Sequence, residues 1–209
     1  MVQGEMNYER LLSFGDLIKL NIRCKPEALL NEVKDFEWAR YNPRKNIKRY
    51  GLSITSLDGK INGIDLDSLY QYNEEHGTTY DEIDFNKTTN VYDMSEEIQK
   101  IVDPFIDHIG RSHILNLRPG GFFPAHRDMR YSASQLSCRI IVPLRNCNPP
   151  QMYFMYEDTP LQFEHGSAYF LNTNKFHSVF SMQDSYFIVL NVICNKDSHK
   201  VIMDNLYIN

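Results

Sequence analysis

Apolar positions change their spacing once along the chain, near residue 110. Upstream they recur every three or four residues. Leu29, Leu30, Val33 and Phe36 follow Pro26, a residue pre-organised for a first helical turn, and predict a helix over 26–38. Ile98, Ile101, Val102, Phe105, Ile106 and Ile109 predict a second helix that starts at Ser95 and stops at Gly110, with Pro104 kinking or shortening it. Between them, Tyr50, Leu52 and Ile54 alternate along a strand over 49–57 that ends at Asp58-Gly59. Residues 8–20 read as a short helix followed by a strand. The stretch 61–94 is polar, with one helical turn near 67–75, and its length marks it as a lid or binding surface.

Downstream of 110 the period becomes two. Short segments at 112–118, 121–126, 137–144, 151–156, 161–164, 167–171, 176–182 and 185–194 are separated by Gly, Pro, Asn and Asp clusters. Eight such strands predict a mainly β fold, a double-stranded β-helix (jelly roll, cupin-like), with a helical amino-terminal part. No repeat is present.

A length of 209 residues fits a single domain over 1–209, with 1–110 as mostly helical support plus a lid and 111–194 as the jelly-roll core. A net charge of -5 and dispersed basic residues give no footprint for a nucleic acid, so no nucleic-acid partner is expected. With 13 Tyr and 12 Phe, the chain can line a wide cavity that is apolar but supplied with hydroxyls. The first ten residues lack the basic and apolar regions of a secretory signal, and the run 186–194 is too short to span a bilayer, so no membrane partner is expected. The four cysteines show no zinc-type spacing. They are expected as free thiols in a cytoplasmic protein.

The chemistry concentrates in Arg118-Pro-Gly-Gly-Phe-Phe-Pro-Ala-His126-Arg-Asp128. Two residues apart on extended backbone, His126 and Asp128 leave the same face, so an imidazole nitrogen and a carboxylate oxygen can converge. His177, on a distant β segment, is the expected third ligand. Two histidines and one carboxylate occupy one face of an octahedron and leave three positions open, the arrangement of non-haem Fe(II) oxygenases. His165 precedes Gly166 in a turn and is an inferior ligand; His113 is the other histidine of the β region. The bland reading makes His126 a satisfied buried histidine and Asp128 a turn former.

Together with Ser137-Cys-Arg139-Ile-Ile-Val-Pro-Leu144, Gly166-Ser-Ala-Tyr-Phe-Leu-Asn172 and His177, this stretch resembles the 2-oxoglutarate- and Fe(II)-dependent oxygenase superfamily, within it the aspartyl/asparaginyl β-hydroxylase-like branch. The likeness covers roughly 111–194. It implies Fe(II) held by His126, Asp128 and His177, 2-oxoglutarate as cosubstrate, dioxygen as oxidant, and hydroxylation of an aliphatic C–H bond with release of succinate and CO2. The substrate it implies is an aminoacyl side chain in a peptide or protein, with a small-molecule substrate as the alternative.

Many relatives carry a basic residue about ten positions after the distal histidine; here that position is Phe187. Arg139, in an otherwise apolar strand, is the candidate to bind the cosubstrate's distal carboxylate, since a buried guanidinium without an anion costs on the order of several kcal/mol. An ion pair with Asp184 or Glu164 would satisfy it equally well. Asn116 is a second candidate for cosubstrate binding, although a polar residue near a strand end needs no such role. Arg127 and Arg130 are either solvated or placed to meet an acidic substrate. Two rivals use the same fold: a cupin-like metalloenzyme of isomerase type without 2-oxoglutarate, and a non-catalytic jelly-roll binding module.

Overall fold

The structure, a computed structural model, describes residues 8–128 and 137–207. A 3-10 helix, Tyr8–Phe14, leads into β1 (Leu17–Arg23) and α1 (Pro26–Glu32), followed by β2 (Ala39–Arg40), β3 (Arg49–Ser53) and β4 (Thr55–Ser56). The polar stretch carries a 3-10 turn at Ile64–Leu66, α2 (Leu69–His76), a second 3-10 turn at Glu82–Asp84, β5 (Lys87–Thr88) and α3 (Asn90–Asp93). After α4 (Glu96–Val102) the chain tightens into a 3-10 helix, Asp103–His108, where Pro104 interrupts the α-helical ladder. Then come β6 (His113–Leu117), β7 (Phe122–His126), β8 (Ser137–Arg145), β9 (Met152–Tyr156), β10 (Thr159–Pro160), β11 (Ser167–Leu171), β12 (His177–Ser181), β13 (Ser185–Ile193) and α5 (Lys196–Asp204).

The strands form a jelly roll of two facing antiparallel sheets, the larger in the order β1-β11-β8-β13-β6-β3-β2 and the smaller β10-β9-β12-β7. Period-two alternation sorts the larger sheet's side chains into two layers. Ile114, Ile140, Val142, Phe170, Ile188 and Leu190 pack against Leu29 and Leu30 from α1, Val33 just beyond it, and Ile98, Ile101 and Val102 from α4. Leu115, Ile141, Leu171 and Phe187 face the smaller sheet and meet Phe154 and Val179. The amino-terminal part supplies the expected helical cover and, in addition, three strands of the larger sheet.

Several boundaries differ from the sequence reading. The helix predicted over 26–38 ends at Glu32, because Val33 leaves helical geometry and Phe36 and Trp38 join the core from irregular backbone. The strand over 49–57 divides: β3 pairs with β6, while Ile54 and Thr55 both donate to Ser112 O and release β4 to pair with β5. No strand forms over 161–164; Leu161 and Phe163 are held instead by Phe154 O and the Asn148 side chain. Asn195 and Ser198 form a capping box that opens α5, which the sequence reading did not include.

The turn that aims β7 is fixed by Pro119 and Gly120. Gly121 N donates to Arg118 O at 2.7 Å and Gly120 has φ +83°, a type II turn with Pro and Gly in their favoured places. A Cβ at Gly120 would meet nothing within 4 Å, so the cost of a side chain there is backbone strain alone. Gly120→Ala is expected to cost about 1–2 kcal/mol in urea unfolding, and Gly120→Asn less, because Asn tolerates the left-handed region. Equal stability of the Ala variant would contradict this turn geometry.

Candidate metal centre

β7 is the edge strand of the smaller sheet, and its pairing with β12 contains one extra residue. Phe122 faces Phe180 and Phe123 faces Val179, yet His177, two residues before Val179, faces His126, three residues after Phe123. Phe123 and Val179 pack into the space between the sheets, whereas Phe122 and Phe180 are exposed. Strict alternation from Phe123 would therefore send His126 outward with Phe122. The β-bulge at Pro124-Ala125 turns it inward, opposite His177, and an edge strand is where a proline and a bulge are tolerated.

The two imidazoles lie 4.3 Å apart by ring centroids. Each has its Nδ1 against a backbone carbonyl, Pro124 O at 2.7 Å for His126 and Lys175 O at 3.0 Å for His177. A carbonyl only accepts, so Nδ1 carries the hydrogen and Nε2 presents its lone pair, as a metal-binding histidine requires. Burial lowers the pKa of His177, against smaller opposing contributions from the Lys175 carbonyl and Asp128, and this favours the neutral, ligating ring.

Asp128 lies just beyond β7, its N–H bonded to Thr173 O at 3.0 Å. Its Oδ1 is 3.7 Å from His126 Nε2 and 4.0 Å from His177 Nε2. Those separations are too long for hydrogen bonds and leave a gap between donor atoms that all lie within 4.8 Å of one another. Two imidazole nitrogens and a carboxylate oxygen around one gap fit a divalent first-row ion.

This donor set opens into a cavity of about 180 Å³ between the sheets. Its far wall is apolar (Leu115, Ile141, Phe187), and its polar wall holds Tyr41, His113, Arg139 and Thr173. Arg139 is paired by acids other than the two the sequence reading considered: Nη2 lies 2.6 Å from Glu82 and Nε 3.3 Å from Asp128 Oδ2. Burial pulls its pKa down, but Glu82 and Asp128 more than offset that and raise it. Arg111 Nη1 also reaches Glu82, at 3.3 Å. His113 is buried, its Nδ1 has no partner among the described residues, and burial, then Arg111 and Arg139, hold its pKa well below the usual value.

Asn116 is not part of this assembly. On β6 it alternates with Leu115 and Leu117, and it lines a separate pocket with Trp38, Arg118 and Tyr186 instead of the cavity between the sheets. The expectation that it contacts a cosubstrate at the donor set is corrected accordingly. Arg127 lies over the exposed Phe176 ring, 4.7 Å from its centroid; Arg130 lies outside the described residues. His165 accepts from Cys147 N through Nε2, away from the donor set. Glu82, Arg111 and Tyr41 were not read from the sequence. Nothing in the local pattern separates Glu82 from Asp81 and Asp84, and Arg111 stands ahead of β6 where a solvated end residue would stand.

No protein-family model and no curated protein matches the sequence. Among solved structures, a Pseudomonas putida prolyl-4-hydroxylase is similar at 12% identity, with 88% of this chain and 95% of that chain covered and a TM-score of 0.49. An oxidoreductase of the 2OG-Fe(II) oxygenase family from Burkholderia pseudomallei is similar at 10% identity, with 88% of each chain covered and a TM-score of 0.46. A RmlC-like cupin protein from Desulfovibrio desulfuricans covers 41% of this chain and 72% of its own, at 15% identity and a TM-score of 0.31. Among the described residues no helix is long and apolar enough to cross a membrane.

Because Asn116 turns away from the cavity, Asn116→Ser is expected to leave Co(II) binding, followed by isothermal titration, unchanged. A marked loss of affinity would contradict that placement.

Proposed function

We propose that this chain is an Fe(II)- and 2-oxoglutarate-dependent dioxygenase that hydroxylates an aliphatic C–H bond, with an aminoacyl side chain of a peptide or protein as the favoured substrate class. The observation that carries the reading is the convergence of His126, Asp128 and His177 on one gap that opens into an apolar-walled cavity. When bound there, ferrous iron together with the cosubstrate and dioxygen supplies the oxidising power for C–H hydroxylation, with succinate and CO2 as co-products.

The chain's own residues orient and exclude. His126 and His177 offer Nε2 lone pairs fixed by their Nδ1 contacts, and Asp128 adds the anionic donor. Phe154, nearly parallel to the His177 ring at 6.2 Å between centroids, helps keep water from one side of it. Arg139 is proposed to bind the cosubstrate's distal carboxylate: its contacts use Nε and Nη2, and a guanidinium's five donors leave capacity for a further oxygen. His113, with its unpartnered Nδ1 on the same wall, is proposed as a neutral partner for that carboxylate. Charge balance supports a dianion. Arg111 and Arg139 cancel Glu82 and Asp128, so a divalent ion leaves the site with an excess of two positive charges, which 2-oxoglutarate neutralises.

One observation favours a rival. Arg139 is already compensated by Glu82 and Asp128, so its burial does not demand an outside anion, and a cupin-like metalloenzyme without 2-oxoglutarate would use the same ligands. The two readings separate under anaerobic mixing of the protein with Fe(II) and 2-oxoglutarate. The dioxygenase is expected to develop a weak visible charge-transfer band and, once air is admitted, to form succinate; the rival does neither. His126→Ala and His177→Ala are each expected to abolish the band. At saturating metal, Arg139→Met should raise the KM for 2-oxoglutarate roughly 10–100-fold, the loss expected for one hydrogen bond to a charged group. An unchanged KM would remove Arg139 from cosubstrate binding.

A further inference from the structure

Glu82 comes from the polar stretch between β4 and α4, yet its carboxylate is enclosed, 13% exposed, and held by nitrogens from three separate parts of the larger sheet and its approach. Arg139 Nη2 from β8 lies at 2.6 Å, Asn191 Nδ2 from β13 at 2.8 Å, and Arg111 Nη1 at 3.3 Å. The backbone is fixed as well. Glu82 O accepts from Arg111 N at 2.8 Å, and Asp81 and Asp84 close a capping box around the turn. This approach depends on Gly110, where a Cβ would stand 2.8 Å from Glu82 O.

The other edge of the same guanidinium meets the donor set. Asp128 turns Oδ1 toward the two imidazoles and Oδ2 toward Arg139 Nε at 3.3 Å. An arginine on its flexible stem does not by itself fix the plane of a carboxylate. With Glu82 fixed on Nη2 it has a single orientation, and its charge is shared between two acids instead of drawn wholly onto Asp128. We infer that Glu82 is a positioning residue of the metal centre: through Arg139 it holds Asp128 Oδ2 and so presents Oδ1 to the gap between His126 and His177. The inference rests on the metal-binding reading above and assigns part of the polar stretch to building that centre, separate from any role as a lid. Partners of this kind govern ligand orientation, and their loss typically weakens metal binding 10–100-fold.

Co(II) alone is the probe, with affinity read by titration and coordination by the visible d–d spectrum, so neither cosubstrate nor turnover is needed. Glu82→Gln is expected to weaken Co(II) binding about 10-fold and to alter the band. In an Arg139→Met background the same change is expected to have no further effect. A direct electrostatic pull of Glu82 on the ion, or a general loosening of the fold, would persist in that background and would overturn the inference. So would unchanged Co(II) affinity in Glu82→Gln itself. If Glu82→Gln does not fold, as judged by thermal melting without metal, Asn191→Leu removes one donor to Glu82 at similar volume. It is expected to weaken Co(II) several-fold, less than the loss of the Glu82 carboxylate itself because Arg139 and Arg111 still hold that group, and no change would overturn the inference. Wild-type protein that binds no Co(II), or a His126→Ala variant that binds it equally well, would overturn the metal reading and this inference with it; the preceding failures overturn this inference alone.

Discussion

One extra residue in an edge strand decides which way His126 points. β7 and β12 pair in ordinary antiparallel register at Phe122–Phe180 and Phe123–Val179, and without the bulge at Pro124-Ala125 the imidazole would join the exposed aromatic side chains on the outside of the smaller sheet. With it, two imidazoles from strands far apart in sequence face each other across one hydrogen-bonded pair of strands. Their Nδ1 atoms are each pinned by a carbonyl two residues earlier in the chain, Pro124 and Lys175, so the same short segments set both the direction and the tautomer of each ring. Asp128 then needs only the bond from its N–H to Thr173 O to bring a carboxylate into the gap.

The larger sheet answers a different requirement, how to keep two guanidinium groups and two carboxylates at the edge of an apolar space. Helices α1 and α4 cover its far face, so its strands are buried on both sides and a charge on the inner face is costly unless compensated, by acids at Arg111 and Arg139 and by the Tyr41 and Phe123 rings at Arg49. Arg139 and Arg111 share Glu82, and Arg139 also meets Asp128. The result is a charge-balanced cluster that adjoins the donor set on one side and the apolar wall on the other. A divalent ion added to this cluster creates the positive excess that the proposed cosubstrate would meet.

The jelly roll and most of its strands were legible because turn residues punctuate short segments of period two, and Pro104 marked the point where α4 tightens. The His126, Asp128 and His177 grouping was legible from residue type and strand order. Its local cause was not, although Pro124 within a strand is the kind of residue that signals a bulge. The face that Asn116 occupies is not legible in the sequence, because β6 is buried on both sides and Ile114, Leu115 and Leu117 give no alternation from which to tell inward from outward. Glu82 could not be found at all. Its role depends on contacts with residues 29, 57 and 109 positions away, and the stretch that carries it shows only a polar composition. Arg139 was recognised as needing an anion, but the anions that satisfy it are Glu82 and Asp128 rather than Asp184 or Glu164.

X-ray absorption spectroscopy of the protein loaded anaerobically with one equivalent of Fe(II) tests the central claim most directly. Two imidazole rings should be visible in the outer-shell scattering, with the remaining ligands oxygen. Iron surrounded by oxygen alone, or by sulfur from the buried cysteines, would contradict the account.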